Sequence, residues 1–411
     1  METRKSLYHA LSISPRYQFN RLELAGSLGD LGTLLPIAIG MIVINGLNPS
    51  GLLFAIGLYY ILSGVYYGVT VPVQPMKVIG AYAIATAMSA NQIIASGVLI
   101  GLFLLVIGAT GAITLIGRYT PKAVVRGVQL STGTLLMAQG VKFMAGSSKF
   151  QVLHQAAEPY FSLQSLGPIP IGLAIGLIGG IATLLLLDNK KFPAGLIVVL
   201  GGLGLGLVLG SHEGFDKLRL GFYLPKILPF GLPAGADFTF ALLVLVLPQI
   251  PMTIGNAVIA NADLSEQYFG QGSKRVTYRS LCISMALANF FSFLIGGMPL
   301  CHGAGGLAAH YRFGARTAGS NLMIGAIFVA LAVLFGIHSL AVIYLVPMSI
   351  LGVLLLFAGS QLALTINDIS ERNDLFVVLV MLGITLASNL AYGFVIGIAI
   401  AYALKSHKLS V

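Results

Sequence analysis

The sequence predicts an all-α polytopic membrane protein of fourteen segments, set as two inverted halves of seven. Three observations carry that expectation. Of the 411 residues, 57% are hydrophobic and 9% charged, whereas a soluble domain carries about 25% charge. Apolar runs such as residues 93–116 and 171–187 continue without period-2 alternation, so the spanning elements are helices rather than barrel strands. Two stretches, Pro72-Val73-Gln74-Pro75-Met76-Lys77 and Met298-Pro299-Leu300-Cys301-His302-Gly303-Ala304-Gly305-Gly306, break the apolar pattern at corresponding places in the two halves. Paired breaks of this kind mark the binding site of secondary transporters.

In order, the first half is expected to hold helices near 22–45, 51–70, 75–88, 92–116, 121–144, 167–187 and 193–210. The second is expected to hold 237–261, 278–297, 302–312, 317–336, 339–363, 375–388 and 390–404. The third and tenth are too short to cross about 30 Å at about 1.5 Å per residue. They are therefore read as half-helices entered from extended chain and buried within protein. An odd number of spans per half inverts the second half relative to the first. Between the halves, the connection 211–236 mixes Pro225, Pro229 and Pro233 with Phe222, Tyr223 and Phe230, a composition suited to the membrane interface.

The net charge of +10 is a topology signal rather than a nucleic-acid signal. With a cytoplasmic N-terminus, 17 basic residues fall on the cytoplasmic side, among them Arg4, Lys5, Arg16, Arg118, Lys122, Arg126, Lys190, Lys191 and Lys408. The outer side receives 5: Lys142, Lys149, Lys217, Arg219 and Lys226. The bias follows the positive-inside rule and places both termini in the cytoplasm of an inner or plasma membrane protein. No signal peptide is expected, because the basic segment 1–21 has no apolar core before Pro15. Cys282 and Cys301 are too few for a disulfide framework or a structural zinc site.

At the first break, Pro75 suits the first helical position with Gln74 as cap, which leaves the Met76 and Lys77 N–H groups free at a positive helix end. Such an end is an anion site, and Lys77 adds a full charge, unless it serves as a structural ion-pair partner. Segment 1 carries Gly26-Ser27-Leu28-Gly29-Asp30-Leu31-Gly32-Thr33, and segment 8 carries Leu247-Pro248-Gln249-Ile250-Pro251-Met252-Thr253-Ile254-Gly255-Asn256. An acid inside a span costs about 2.5–3.5 kcal/mol on insertion. Asp30 is accordingly a proton-coupling group, a counter-ion to Lys77, or a cap on a broken helix end. Glu23 is read as a wet boundary residue. Gln74 and Gln249 can donate and accept hydrogen bonds. His302 opens the tenth segment as an anion donor or pH sensor, or else as a satisfied core histidine. Cys301 and His302 resemble a nucleophile and base, but adjacent helical positions do not face each other. No H-E-x-x-H, G-x-S-x-G or P-loop pattern is present, and neither an enzyme nor a cofactor is expected.

These stretches together resemble the molybdate transporter family, relatives of the sulfate permeases. The resemblance rests on Gly29-Asp30-Leu31-Gly32-Thr33, Pro72-Val73-Gln74-Pro75-Met76-Lys77, Leu247-Pro248-Gln249-Ile250-Pro251-Met252-Thr253 and residues 297–307, continued by Tyr311-Arg312-Phe313-Gly314-Ala315-Arg316. It implies the seven-plus-seven inverted-repeat fold shared with uracil and sulfate permeases. The first repeat is then 22–210 (core 22–116, gate 121–210), the extracytoplasmic loop 211–236, and the second repeat 237–404 (core 237–336, gate 339–404). The tail 405–411 leaves no regulatory domain. Substrate is expected between segments 3 and 10, lined by Gln74, Pro75, Met76 and Lys77 and by Cys301, His302, Gly303, Ala304 and Gly305. Gln249, Thr253 and Asn256 join from segment 8, and Asp30 is the coupling residue. Two helix ends at about +0.5 each plus Lys77 balance a tetrahedral dianion, molybdate or sulfate, carried by alternating access with H+ as coupling ion. A proton-coupled nucleobase transporter and an anion channel of the same fold are the alternatives. Membrane lipid and a second copy, through the gate helices, are the expected partners, with no nucleic acid.

Overall fold

The computed structural model describes residues 17–113, 121–187, 189, 194–212 and 218–405. Most of the N-terminal segment and Arg4, Lys5, Arg16, Arg118, Lys190, Lys191, Lys217 and Lys408 lie outside the described residues.

The first half comprises α1 (Arg21–Ser27), α2 (Leu31–Val43), α3 (Pro49–Tyr67), β1 (Gln74–Pro75), α4 (Lys77–Thr86), α5 (Ala90–Thr110), α6 (Lys122–Met144), α7 (Lys149–Leu153), the hairpin β2 (Ser165–Leu166) and β3 (Ile169–Pro170), α8 (Ile171–Leu186) and α9 (Ala194–Leu209). The second comprises α10 (Gly235–Ser273), α11 (Tyr278–Leu294), β4 (Leu300–Cys301), α12 (Ala304–Phe313), α13 (Ala318–Ile343), α14 (Met348–Asp368), α15 (Arg372–Ala387) and α16 (Leu390–Ala403). Among the described residues, α3, α5, α10, α13 and α14 are long and apolar enough to cross a membrane. The pair α1 and α2, bent by 46°, makes a sixth if it is one span. The other segments are shorter helices, several of them apolar.

Local chemistry sets the boundaries. Pro49 starts α3 behind Asn48, whose side chain accepts the Gly51 N–H, and Ser89 and Gln92 form a capping box at α5. Segment 8 runs to Ser273 rather than stopping near 261, because Asn261–Phe269 continues as a polar helical extension. Pro248 and Pro251 lack N–H donors, and the helix absorbs both by widening into π turns at Leu242–Val246 and Thr253–Ala260.

Exchange of the two halves preserves the three most extensive helix pairings. α3 lies along α13, α5 lies along α11, and α6 lies along α14. Glycine permits the close approach of α6 and α14: a Cβ at Gly133 would stand 2.5 Å from the Gly359 carbonyl oxygen, and one at Gly359 would stand 2.6 Å from that of Gly133. The strands β1 and β4 join the halves in antiparallel register, Gln74 opposite Cys301 and Pro75 opposite Leu300.

One expectation about the periphery is corrected. Glu23 is not a wet boundary residue: it is buried, and its Oε1 accepts the Arg316 and Thr317 N–H groups at 3.1 and 2.9 Å. Those amides precede the first turn of α13, where no intrahelical partner exists. The connection after α9 lies along the second half, with Tyr223 N–H donating to Val333 O and Leu228 N–H to Leu294 O. It leaves Phe222 and Ile227 exposed.

Candidate functional site

The two breaks meet where β1 pairs with β4, and each feeds a ten-residue helix, α4 and α12. The start of α4 differs from expectation. Gln74 and Pro75 belong to the strand, Met76 is the cap, and the helix begins at Lys77. The Met76 N–H is not free, because the Pro299 carbonyl oxygen accepts it at 3.0 Å. Gln249 Oε1 accepts the Val78 and Ile79 N–H groups at 3.0 and 3.3 Å, and its Nε2 donates to Thr253 Oγ1 at 2.9 Å. Segment 8 thus reaches across and caps the helix that the strand leaves uncapped. α12 likewise starts two residues later than expected, at Ala304, with Gly303 as cap.

Asp30 occupies the cap position of α2 but makes no capping bond with its side chain. Its Oδ2 instead accepts from Gln74 Nε2 at 2.6 Å. The amide oxygen of Gln74, Oε1, is buried with no partner among the described residues. Gly303 and Gly306 make room for this pair. A Cβ at Gly303 would overlap Gln74 Oε1, and one at Gly306 would stand 2.5 Å from Asp30 Oδ2 and 2.6 Å from Gln74 Nε2. The close backbone approach expected at these glycines is therefore to side chains of the first half.

Beside this pair lies a cavity of about 400 Å³. Asp30, Thr33, Lys77, Asn256, Gly305 and Ala309 line it from the segments expected to form the core. Gln129, Thr183, Leu354, Gln361 and Thr365 line it from those expected to form the gate. Lys77 is the one cation and Asp30 the one acid among its lining residues. They do not form an ion pair, since the ion pairs among the described residues all involve Asp368. Of the residues expected at the substrate position, Lys77, Asn256 and Gly305 reach this cavity together with Asp30. Gln74 lies behind Asp30, while Gln249 and Thr253 lie behind the start of α4. Pro75, Met76, Gly303 and Ala304 frame the two helix starts without lining the cavity.

Cys301 and His302 turn the other way. Cys301 Sγ lies 3.5 Å from the Pro75 carbonyl oxygen. His302 Nδ1 lies 2.8 Å from the Pro72 carbonyl oxygen, and its Nε2 lies 2.7 Å from Tyr59 Oη and 3.2 Å from Ser284 Oγ. A carbonyl oxygen only accepts, so Nδ1 carries the hydrogen and Nε2 accepts from a hydroxyl. His302 sits as a fully engaged core histidine between α3 and α11. The contributions of Gln129, Thr183, Gln361 and Thr365 were not foreseen. Of these, Thr183 alone interrupts an otherwise apolar helix, and the others stand among further polar residues of their own helices.

The helices, their pairing and the strand crossing between broken segments define a membrane transporter fold. By structure the chain is similar to SLC26A9, with a TM-score of 0.66 and 14% identity over 98% of this chain and 69% of that one. It is also similar to the transmembrane domain of the cyanobacterial bicarbonate transporter BicA, with a TM-score of 0.62 and 14% identity over 94% and 98% of the two chains. The family described as molybdate transporter of MFS superfamily matches residues 22–136 and 241–362. Molybdate transporter 2 of Arabidopsis thaliana is 32% identical over 94% of this chain and 88% of its own length. Molybdate transporter 1 of Chlamydomonas reinhardtii is 30% identical over 94% and 92%. The chain belongs to the molybdate transporter family.

Proposed function

We propose that this protein is a secondary active transporter of a tetrahedral oxyanion, molybdate before sulfate, working by alternating access. The observation that carries this reading is the cavity in which Lys77 stands at the start of α4, facing the start of α12 at Gly305. A dianion there meets a full positive charge and the positive ends of two helices. With the cap amide of Met76 bonded to Pro299 and two α4 amides bonded to Gln249, the helix acts mainly through its dipole and Lys77 through direct contact.

The cavity also involves Leu187, Ala194 and Thr365, close to the Arg126–Asp368 pair at the end that the positive-inside bias assigns to the cytoplasm. On that orientation the conformation opens inward. The pairing that survives exchange of the halves supports a seven-plus-seven inverted repeat, in which the core moves against the gate and α4 and α12 act as half-helices.

Asp30 is the proposed coupling residue. In its present position the carboxylate stands near the dianion's place, and protonation removes that repulsion. Symport with H+ follows, and Asp30→Asn is expected to abolish pH-driven accumulation while exchange persists. A carboxylate in the cavity also favours the second reading, a proton-coupled nucleobase carrier, because an acid can pair with a ring N–H. Thermal-shift titration with molybdate, tungstate, sulfate, phosphate and uracil separates the two, since a ligand of the folded state stabilises it as RT ln(1 + [L]/Kd). Stabilisation by molybdate and tungstate well below the sulfate requirement is expected. A response to uracil alone overturns the oxyanion reading. Conductance without saturation identifies an anion channel instead.

A further inference from the structure

The seam that holds the cavity contains a second one, of about 260 Å³, at its opposite end. The same three helices line both. α2 supplies Ile37 to the first, and Ile44 at its C-terminal cap lines the second; α4 supplies Lys77 and then Ile84. α6 supplies Gln129 and Leu136 to the first, then Gln139 and Lys142 to the second. At a rise of 1.5 Å per residue these spacings set the two cavities about 10–15 Å apart along the seam. Between them Ile84 closes on Gly40, its Cδ1 2.6 Å from where a Cβ would stand.

The second cavity is basic. Lys142 and Lys149 line it with Gln139 and Ser147, and no acid does. Neither lysine is in an ion pair among the described residues. The nearby acid Glu158 is committed elsewhere, accepting the Met348 and Ser349 N–H groups at 2.7 and 2.8 Å. Lys142 in the last turn of α6 is favoured by the helix dipole, but Lys149 in the first turn of α7 is not. Both are outer-side residues on the charge bias, where membrane insertion does not select for basic residues. Gln139 is 8% exposed and lines the cavity, and its side-chain amide bonds no other described residue. Its amide, open to the cavity, can both donate to and accept from a ligand there.

We propose that this cavity is an outer staging site for the transported oxyanion, bound by Lys142, Lys149 and the Gln139 amide before the seam opens. The proposal rests on the oxyanion-transport reading. A basic recess at the closed mouth raises the local anion concentration at the entrance.

The test compares the full-length protein with its Lys142→Gln/Lys149→Gln and Gln139→Leu variants in vesicles of uniform orientation, with labelled molybdate as probe. For the double variant, KM for uptake is expected to rise about 3–10-fold at low ionic strength, with a flattened salt dependence. KM for efflux is expected to stay at its unaltered value. Gln139→Leu gives the same one-sided change in smaller measure. An unchanged uptake KM overturns the proposal, as does an equal rise for uptake and efflux, which marks a structural defect. A defect that vanishes in purely zwitterionic vesicles assigns the lysines to lipid headgroups and also overturns it. Absence of molybdate transport by the unaltered protein fails the underlying reading, and the staging site with it.

Discussion

The two chain breaks occupy equivalent places in their halves and pair strand to strand, yet their chemistry is unlike. The first presents Lys77 to the cavity and holds Gln74 against Asp30. The second presents Gly305 and turns Cys301 and His302 away, against Pro75, Pro72, Tyr59 and Ser284. A similar backbone plan thus serves two purposes. One break supplies charge, and the other supplies a smooth helix end against which charged and polar groups lie.

If that division holds, Lys77→Met has the greatest effect. A charged contact to an anion is worth about 1.5–3 kcal/mol, so molybdate affinity should fall about 10–100-fold. Calorimetric titration of the purified variant checks this, and an affinity within twofold of the unaltered protein removes Lys77 from the site. Gly306→Ala tests whether the second break bears on the first through its backbone. Its added methyl would meet Asp30 and Gln74 at 2.5 and 2.6 Å, and overpacking of this kind costs about 1–3 kcal/mol. The expected outcome is lost transport together with a lower melting temperature. A variant that transports normally shows the Asp30–Gln74 pair free to move aside. His302→Ala removes the partner of Tyr59 and of the Pro72 carbonyl, at a cost of about 1–3 kcal/mol in stability. The folded variant should still bind molybdate with unaltered affinity. A tenfold loss of affinity would make the second break chemically equal to the first.

The same contrast explains what the sequence revealed. Prolines, glycines and polar residues inside apolar runs announce a break whatever surrounds it, so both breaks were legible, and so was the presence of Lys77 and Asp30 inside the fold. Where the helices begin was not. Met76 lies beyond Gln74 as the cap because Gln249, 171 residues away from Val78, accepts the first amides. No local pattern encodes that contact. Glu23 was misread for the same reason: the amides it accepts lie 293 and 294 residues along the chain. The wall made by Gln129, Gln361 and Thr365 was illegible because each has polar neighbours on its own helix, such as Ser131 and Thr132 on α6 and Ser360 on α14, and nothing local marks which of them faces the cavity. Only the packing of α6 along α14 brings them to one wall.

Asp368 offers the smallest effect and a baseline for the others. Its carboxylate accepts from Arg126 Nη2 and Nε at 2.6 and 2.9 Å, with Lys122 Nζ at 3.1 Å. The Arg126 hydrogen bonds hold its carboxyl well below the ordinary carboxylate range. The side chain is 43% exposed, so solvent screens the pair, and Asp368→Asn should cost at most about 1 kcal/mol. Because the folded-state value is depressed, the stabilisation is fully present above the unfolded value of about 4 and fades as pH falls through the folded value. The melting difference between Asp368→Asn and the unaltered protein should therefore stay constant from pH 7 to 5 and shrink only in stronger acid. Arg126 also donates to Gln129 Oε1 at 2.8 Å, and Thr365 Oγ1 donates to the same oxygen at 3.0 Å. Both acceptor and hydroxyl line the cavity. Molybdate affinity that falls with Asp368→Asn as it does with Lys77→Met would extend the charged side of the site from the first break to the gate. Unaltered affinity confines it to the break itself.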